Sequence, residues 1–248
     1  GEWVRDTVAT LPPSQAELHP GLARSIALNG RTYWYGHSGS IATWVPGEAI
    51  TIIGMVNTVG QIFALAGRTY VSDASEGMIY EIVPGAALRP AIPRLESGGE
   101  YAVVGTAPHP SGRLLVATAR RGLFLFDGSS LAPLPPTPAL AGRRLSALTA
   151  VTDRFYAIGV ENLGICFLDR DLRVVQSLER SNDNRLGQVR QLVCGRDGDL
   201  WAVLAAGIAR IDFPAPVSHL EPFIENGYTF ALPNREHGKL WVCADGVA

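Results

Sequence analysis

Six loosely similar segments run through this chain, and that repetition limits the available folds more than any other feature. The clearest copy is Gly198-Asp199-Leu200-Trp201-Ala202-Val203 followed by Gly207-Ile208-Ala209-Arg210-Ile211-Asp212. Gly238-Lys239-Leu240-Trp241-Val242-Cys243 with Gly246-Val247, and Gly112-Arg113-Leu114-Leu115-Val116-Ala117 with Gly122-Leu123-Phe124-Leu125-Phe126-Asp127, repeat it. Fainter copies are Gly30-Arg31-Thr32-Tyr33 with Gly39, Gly67-Arg68-Thr69-Tyr70 with Gly77, and Asp153-Arg154-Phe155-Tyr156 with Gly164. Their first positions, 30, 67, 112, 153, 198 and 238, are separated by 37, 45, 41, 45 and 40 residues.

A period of about 40–45 residues is that of a four-stranded propeller blade. Each copy reads as two strands and a turn, preceded by a further apolar strand: Ser25–Leu28, Gln61–Leu65, Ala102–Val104, Ala147–Val151, Gln191–Val193 and Tyr228–Ala231. The residue three places into each copy is large: Tyr33, Tyr70, Leu115, Tyr156, Trp201 or Trp241. Its flanking positions are mostly apolar too, so the strand is expected to be covered on both faces. Each closing glycine falls where a turn needs a positive φ. The Pro-rich stretches Pro84–Pro93, Pro133–Pro138 and Pro214–Pro222 follow the third strand of a copy, where an outer edge strand can spare its N–H. No stretch keeps helical periodicity between these glycines and prolines. The expected fold is therefore all-β: a single β-propeller domain over 1–248 with about six four-stranded blades. The stretch 1–12 is expected to complete the last blade as an N-terminal strand. Alternatively, the chain is a piece cut from a longer protein with seven or more blades.

Composition narrows the function. Hydrophobic residues make up 47% of the 248 positions, with five Trp, seven Tyr and eight Phe, enough for a packed core and against disorder. A formal net charge of -2 argues against a dedicated nucleic-acid binder. No apolar run reaches the ~18–20 residues of a membrane span, so no membrane contact by this segment is expected. Cys166, Cys194 and Cys243 have neither disulfide-framework nor zinc-site spacing and are expected as small apolar strand residues.

Arg196-Asp197-Gly198-Asp199-Leu200-Trp201 followed by Gly207–Pro214 resembles the two-component regulator propeller repeat, with its Asp-Gly-x-Leu-Trp core and Gly-Leu-x-Arg-Asp second strand. Asn184–Leu192 resembles the stretch that leads into such a blade. Gly238–Gly246 and Gly112–Asp127 match less fully, and of the family's Gly-Thr only Thr118 remains. What the resemblance implies is a periplasmic or extracellular sensory propeller of a bacterial signalling protein, with a homodimeric parent receptor as one arrangement.

Local catalytic motifs are absent from the sequence. His19, His37, His109, His219 and His237 form no HxH or HExxH pair. Asp197-Gly198-Asp199 and Asp169-Arg170-Asp171 lack the further oxygen ligands of a calcium loop and read as hairpin turns. Gly36-His37-Ser38-Gly39-Ser40 lacks the last glycine of a nucleophile elbow and sits between strands. Trp201 and Trp241 keep the period of the blade and read as packing residues. Neither a catalytic site, a metal nor a cofactor is expected.

Polar residues that break the repeat, on loops held by a rigid scaffold, are the better candidates. Loops between second and third strands carry His37, Asp73, Arg120, Arg121, Glu161 and Asn162, and these six are the expected ligand-binding residues. Arg143, Arg144, Asn182–Arg185, Glu225 and Asn226 should open onto the same face. The pair of loops formed by Arg120–Arg121 and Glu161–Asn162 is the expected centre of the site. The expected function is thus a non-enzymatic sensory domain recognising a small molecule, an oligosaccharide being one class, or a protein partner. A protein–protein scaffold is the first alternative and a propeller-type lyase or lactonase the second.

Overall fold

The computed structural model describes residues 22–36, 39–45, 48–93, 98–179, 188–195, 198–205, 207–213, 218–221, 229–234 and 239–244. The expected N-terminal strand and the third strand of the last copy lie outside them. The described chain is all-β apart from two short 3-10 turns, Gly98–Tyr101 and Pro138–Leu140.

Each repeat folds into an antiparallel meander. The first sheet holds β1 (Leu22–Leu28), β2 (Arg31–Gly36), β3 (Ser40–Trp44) and β4 (Thr51–Met55). The second holds β5 (Val59–Leu65), β6 (Arg68–Asp73), β7 (Met78–Ile82) and β8 (Arg89–Pro90). In the third are β9 (Val103–Pro108), β10 (Leu114–Thr118), β11 (Gly122–Phe126) and β12 (Leu131–Pro133). The fourth contains β13 (Leu145–Ala150), β14 (Phe155–Val160), β15 (Gly164–Asp169) and β16 (Val174–Glu179). The fifth is β17 (Val189–Cys194), β18 (Leu200–Leu204), β19 (Gly207–Ile211) and β20 (Ser218–Glu221), and β21 (Thr229–Asn234) pairs with β22 (Lys239–Ala244) in the sixth. Every second strand starts one or two residues after the first position of its copy. The closing glycines 39, 77, 122, 164 and 207 have φ of 78°, 66°, 80°, 126° and 146°, the region their turns require. The short outer strands β8 and β12 contain Pro90 and Pro133, an edge placement that leaves no buried ladder bond unmade.

Double coverage of the second strands is visible residue by residue. Along β10, Leu114 and Val116 join a core cluster shared with the second sheet, built on Phe63, Tyr70 and Phe126. Leu115 and Ala117, pointing the other way, join a cluster shared with Tyr156, Ile158 and Val160 of β14. Ala157, between those last residues, faces a third cluster with Leu200 and Ala202 of the fifth sheet. A fourth unites Tyr33 and Ile41 with Ile62 and Val71. The period of two in a strand thus sends alternate side chains into different intersheet cores. Tyr70 and Phe126 meet edge-on at 5.0 Å between centroids, a favourable arrangement for two rings buried to 1% and 0% exposure. Two of the large third-position residues also tie neighbours by hydrogen bonds: the Tyr33 hydroxyl donates to Thr69 Oγ1 at 3.3 Å, and that of Tyr156 to the Pro108 carbonyl at 3.1 Å. Cys166 is buried in β15, where burial pushes its thiol up to about 11.

The first strands stand beside one another in sequence: β1 by β5, β5 by β9, β9 by β13, β13 by β17, β17 by β21, and β21 by β1. In one place the separate meanders expected from the repeat are joined. Gly105 of β9 and Leu148 of β13 form a parallel bridge, so the third and fourth sheets are continuous. Gly105 allows this because a Cβ there would lie 2.4 Å from the Leu148 nitrogen. A register slip recurs near the start of β1, β5, β13 and β17, after Leu22, Val59, Leu145 and Val189. Such bulges bend a strand and re-aim its side chains, and here they lie at the end where the intersheet loops arrive.

Candidate functional site

Four loops converge at that end, between the third and fourth sheets. They are the 3-10 turn before β9, the β10–β11 turn, the connection 141–144 leading into β13, and the β14–β15 turn. Their main chains are bonded to one another. Arg120 N–H donates to the Glu100 carbonyl at 3.1 Å, Leu145 N–H to Ala119 at 2.9 Å, and Glu161 N–H to Arg144 at 2.8 Å. The last of these belongs to a bond that recurs inside the second, third, fourth and fifth sheets, from the residue after the second strand to the residue before the first. Ala74 donates to Thr58 at 2.8 Å, Ala119 to Ala102 at 2.8 Å, and Ala205 to Gln188 at 2.9 Å. The common framework therefore accepts alanine as donor residue and small or neutral residues as acceptor. Among the described residues, both positions are charged in the fourth sheet alone, as Glu161 and Arg144.

Each loop has its own local cause. Thr118, fully buried, donates from Oγ1 to the Gly122 carbonyl at 2.9 Å and accepts the Arg121 N–H at 3.2 Å, which shapes the turn presenting Arg120 and Arg121. The proline-rich approach to β13 ends in the turn Pro138–Leu140, whose Leu140 is buried and whose carbonyl accepts the Arg143 N–H at 3.1 Å. Asn162 has φ of 61°, a left-handed conformation that Asn tolerates better than most side chains, so the turn alone accounts for its residue type.

Together the loops enclose a concavity of about 530 Å³ lined by Glu100, Arg120, Arg121, Gly142, Arg143, Arg144, Glu161 and Asn162. Four arginines face two glutamates there, an excess of two positive charges in a chain whose formal net charge is -2. Arg121 Nη2 lies 2.6 Å from Glu100 Oε2, and its guanidinium sits 5.7 Å from the centre of the Tyr101 ring. Arg144 Nε is 3.8 Å from Glu161 Oε2. Arg120 and Arg143 are exposed, and among the described residues neither guanidinium has a carboxylate partner. Fixed charges of one sign on a concave wall concentrate field and attract the opposite charge.

The structure thus brings Arg120, Arg121, Glu161 and Asn162 together and adds Arg143 and Arg144 from the same face. Glu100, which no repeat position marks, completes the rim. Asp73 is not part of the concavity. Its carboxylate, 2% exposed, accepts from the N–H groups of Asn57, Ser75 and Glu76 at 2.8, 2.9 and 3.3 Å and from the Ser75 hydroxyl at 2.7 Å. Burial opposes its charge, but these hydrogen bonds outweigh it and hold the carboxyl below the ordinary range. Its role is to build the β6–β7 turn. His37, Asn182–Arg185, Glu225 and Asn226 lie outside the described residues. His109 sits in the β9–β10 turn at the opposite end of the strands, against Ser111 Oγ at 2.8 Å. Burial first, then Arg113 and Arg170, lower its pKa. Asp169 accepts the Arg173 N–H at 2.9 Å in a hairpin turn, as expected from its sequence. Among the described residues no three His, Cys, Asp or Glu side chains gather as metal ligands, and no helix is long and apolar enough to cross a membrane.

No protein-family model matches the chain, and no curated protein matches it by sequence. Solved structures do match its fold. A catalytically inactive virginiamycin B lyase of Staphylococcus aureus with quinupristin superposes with a TM-score of 0.68 at 14% identity, over 90% of this chain and 78% of that one. The extracellular domain of a hybrid two-component system of Bacteroides thetaiotaomicron gives a TM-score of 0.69 at 13% identity, over 90% of this chain and 32% of that one. A one-component-system extracellular domain of the same organism gives 0.66 at 13% identity, over 98% of this chain and 39% of that one. The chain therefore spans about a third of these receptor domains' length. At such identities the likeness establishes an all-β, propeller-like fold.

Proposed function

We propose that the chain is a six-bladed β-propeller that serves, without catalysis, as a ligand-recognising sensory domain of a bacterial receptor exposed outside the cytoplasm. The contact between β21 and β1 supports closure of the ring, which leaves no long sheet edge to pair with another chain. One observation carries the functional reading: the concavity between the third and fourth sheets is built from residues that depart from the repeat. Ala, Thr and Gln suffice for the shared backbone bond elsewhere, so the fold itself does not call for Arg144 and Glu161. Its volume lies within the roughly 300–1,000 Å³ range of small-ligand sites. The fold likeness to receptor extracellular domains agrees with a sensory role, and the likeness to a lyase supplies the competing one.

Thermal-shift screening of the purified chain against organic acids, oligosaccharides, nucleotides and divalent metals tests this reading. A ligand that binds only the folded state at a hundred times its Kd adds about 2.7 kcal/mol of stability. Stabilisation by a small molecule that the protein leaves chemically unchanged is the expected result. Turnover of a stabilising compound, or no response across the library, would count against it.

A further inference from the structure

We infer that the concavity is an oxyanion receptor, with Arg120 and Arg143 the guanidinium groups that grip the ligand and Arg121 and Arg144 held back as its walls. This rests on reading the concavity as a ligand site. The division of labour follows from pairing. Arg121 is engaged by Glu100 and the Tyr101 ring, and Arg144 lies beside Glu161, so both are positioned by the protein. Arg120 and Arg143 carry exposed guanidiniums without such partners among the described residues.

A solvated rim of unrelated charges would explain isolated arginines, but three features argue for more. The main chains beneath the arginines are cross-bonded from Glu100 to Arg120, from Ala119 to Leu145 and from Arg144 to Glu161, so the backbone cannot easily spread to relieve the repulsion. The structurally matching positions elsewhere are neutral: one residue beyond the shared donor stand Ser75 and Asn162 where the third sheet has Arg120. One residue before the shared acceptor stand Asn57 and Tyr101 where the fourth has Arg143. Among the described residues the lining offers arginine, glutamate, asparagine and glycine but no aromatic face, so a neutral sugar would find no stacking platform there. Guanidinium pairs instead match carboxylate, phosphate or sulfate oxygens, which accept two N–H bonds in parallel. The ligand class is therefore a small anion with carboxylate or phosphate oxygens for both guanidiniums: an acidic saccharide, a non-sugar polyacid or a phosphate.

Calorimetric titration of the chain with digalacturonate, citrate and inorganic phosphate, at low and moderate salt, tests the inference. At least one probe is expected to bind, more weakly as salt rises. Arg120→Ala and Arg143→Ala should each weaken it by about tenfold or more, with unchanged melting temperatures because both side chains are exposed. Arg154→Ala, which removes an exposed arginine from the turn between β13 and β14 at the other end, should leave affinity unchanged. Digalacturonate binding alone would identify an acidic sugar, and binding of citrate or phosphate a non-sugar anion. Equal affinity in the Arg120 and Arg143 variants would overturn the inference. So would a neutral oligosaccharide that binds while every anion fails, though the sensory reading would survive that result. Failure of all probes, charged and neutral, would remove both.

Discussion

Replacing Gly105 with alanine tests the junction on which the candidate site is built. The added methyl group would stand 2.4 Å from the Leu148 nitrogen and 2.7 Å from its oxygen, short of an ordinary 3.4 Å contact by up to about 1 Å. Both atoms are main chain, so no rotamer change relieves the clash, and β9 and β13 must part. Overpacking of this kind destabilises by about 1–3 kcal/mol, with the upper half of that range expected where backbone must move. At about 2–4 °C per kcal/mol for a chain of this size, the melting temperature should fall by roughly 4–12 °C. Gly195→Ala provides the control, since its nearest atoms would be at 3.5 and 3.8 Å and its φ is not positive. There the reduced entropy of the unfolded chain offsets any crowding, and a change within about 2 °C is expected. Differential scanning calorimetry of both variants decides the matter. Equal melting temperatures would show that the third and fourth sheets do not approach as closely as described.

Thr118→Val keeps the side-chain shape but deletes the buried hydroxyl that bonds Gly122 and Arg121, so the Gly122 carbonyl and the Arg121 N–H lose that partner. A loss of about 1–3 kcal/mol in urea unfolding is expected, together with weaker binding at the Arg120–Arg121 turn. An unchanged midpoint would contradict the role assigned to this residue. Asp73 has a lowered pKa in the folded chain, so the stability it contributes is complete above its unfolded value of about 3.8 and disappears as pH falls through the lower folded value. Asp73→Asn should therefore lose less stability than the parent as pH falls below about 4. Acid limbs that superimpose would show that its hydrogen bonds do not favour the ionised form.

How far the sequence reveals this molecule depends on the range of the interaction. Strands within a sheet are joined by short turns, so the repeated Gly and aromatic positions mark β2, β6, β10, β14 and β18 within a residue or two. The Gly105–Leu148 bridge links positions in different repeats and arises from a missing side chain, which carries no periodic signal. At the site, Arg120, Arg121, Glu161 and Asn162 are legible as interruptions of an apolar pattern. Glu100 is not, because it precedes the first strand of its sheet and lies outside the two-strand pattern that the copies share. Asp73 interrupts the apolar pattern as well, yet it lies in a turn outside the concavity. Its segment Asp73-Ala74-Ser75-Glu76-Gly77 has the composition of a turn whose Asp caps following N–H groups, and the structure uses it in that way.

Arginine footprinting of the whole chain most directly tests whether the concavity is the receptor. Phenylglyoxal labelling, mapped by mass spectrometry with and without citrate, phosphate or digalacturonate, reads each guanidinium separately. Arg120 and Arg143 should react faster than the ion-paired Arg121 and Arg144 and should become protected by the anion that binds, while Arg113, Arg154 and Arg170 stay unchanged. Protection at those three instead, or none at Arg120 and Arg143 while an anion is bound, would contradict the account.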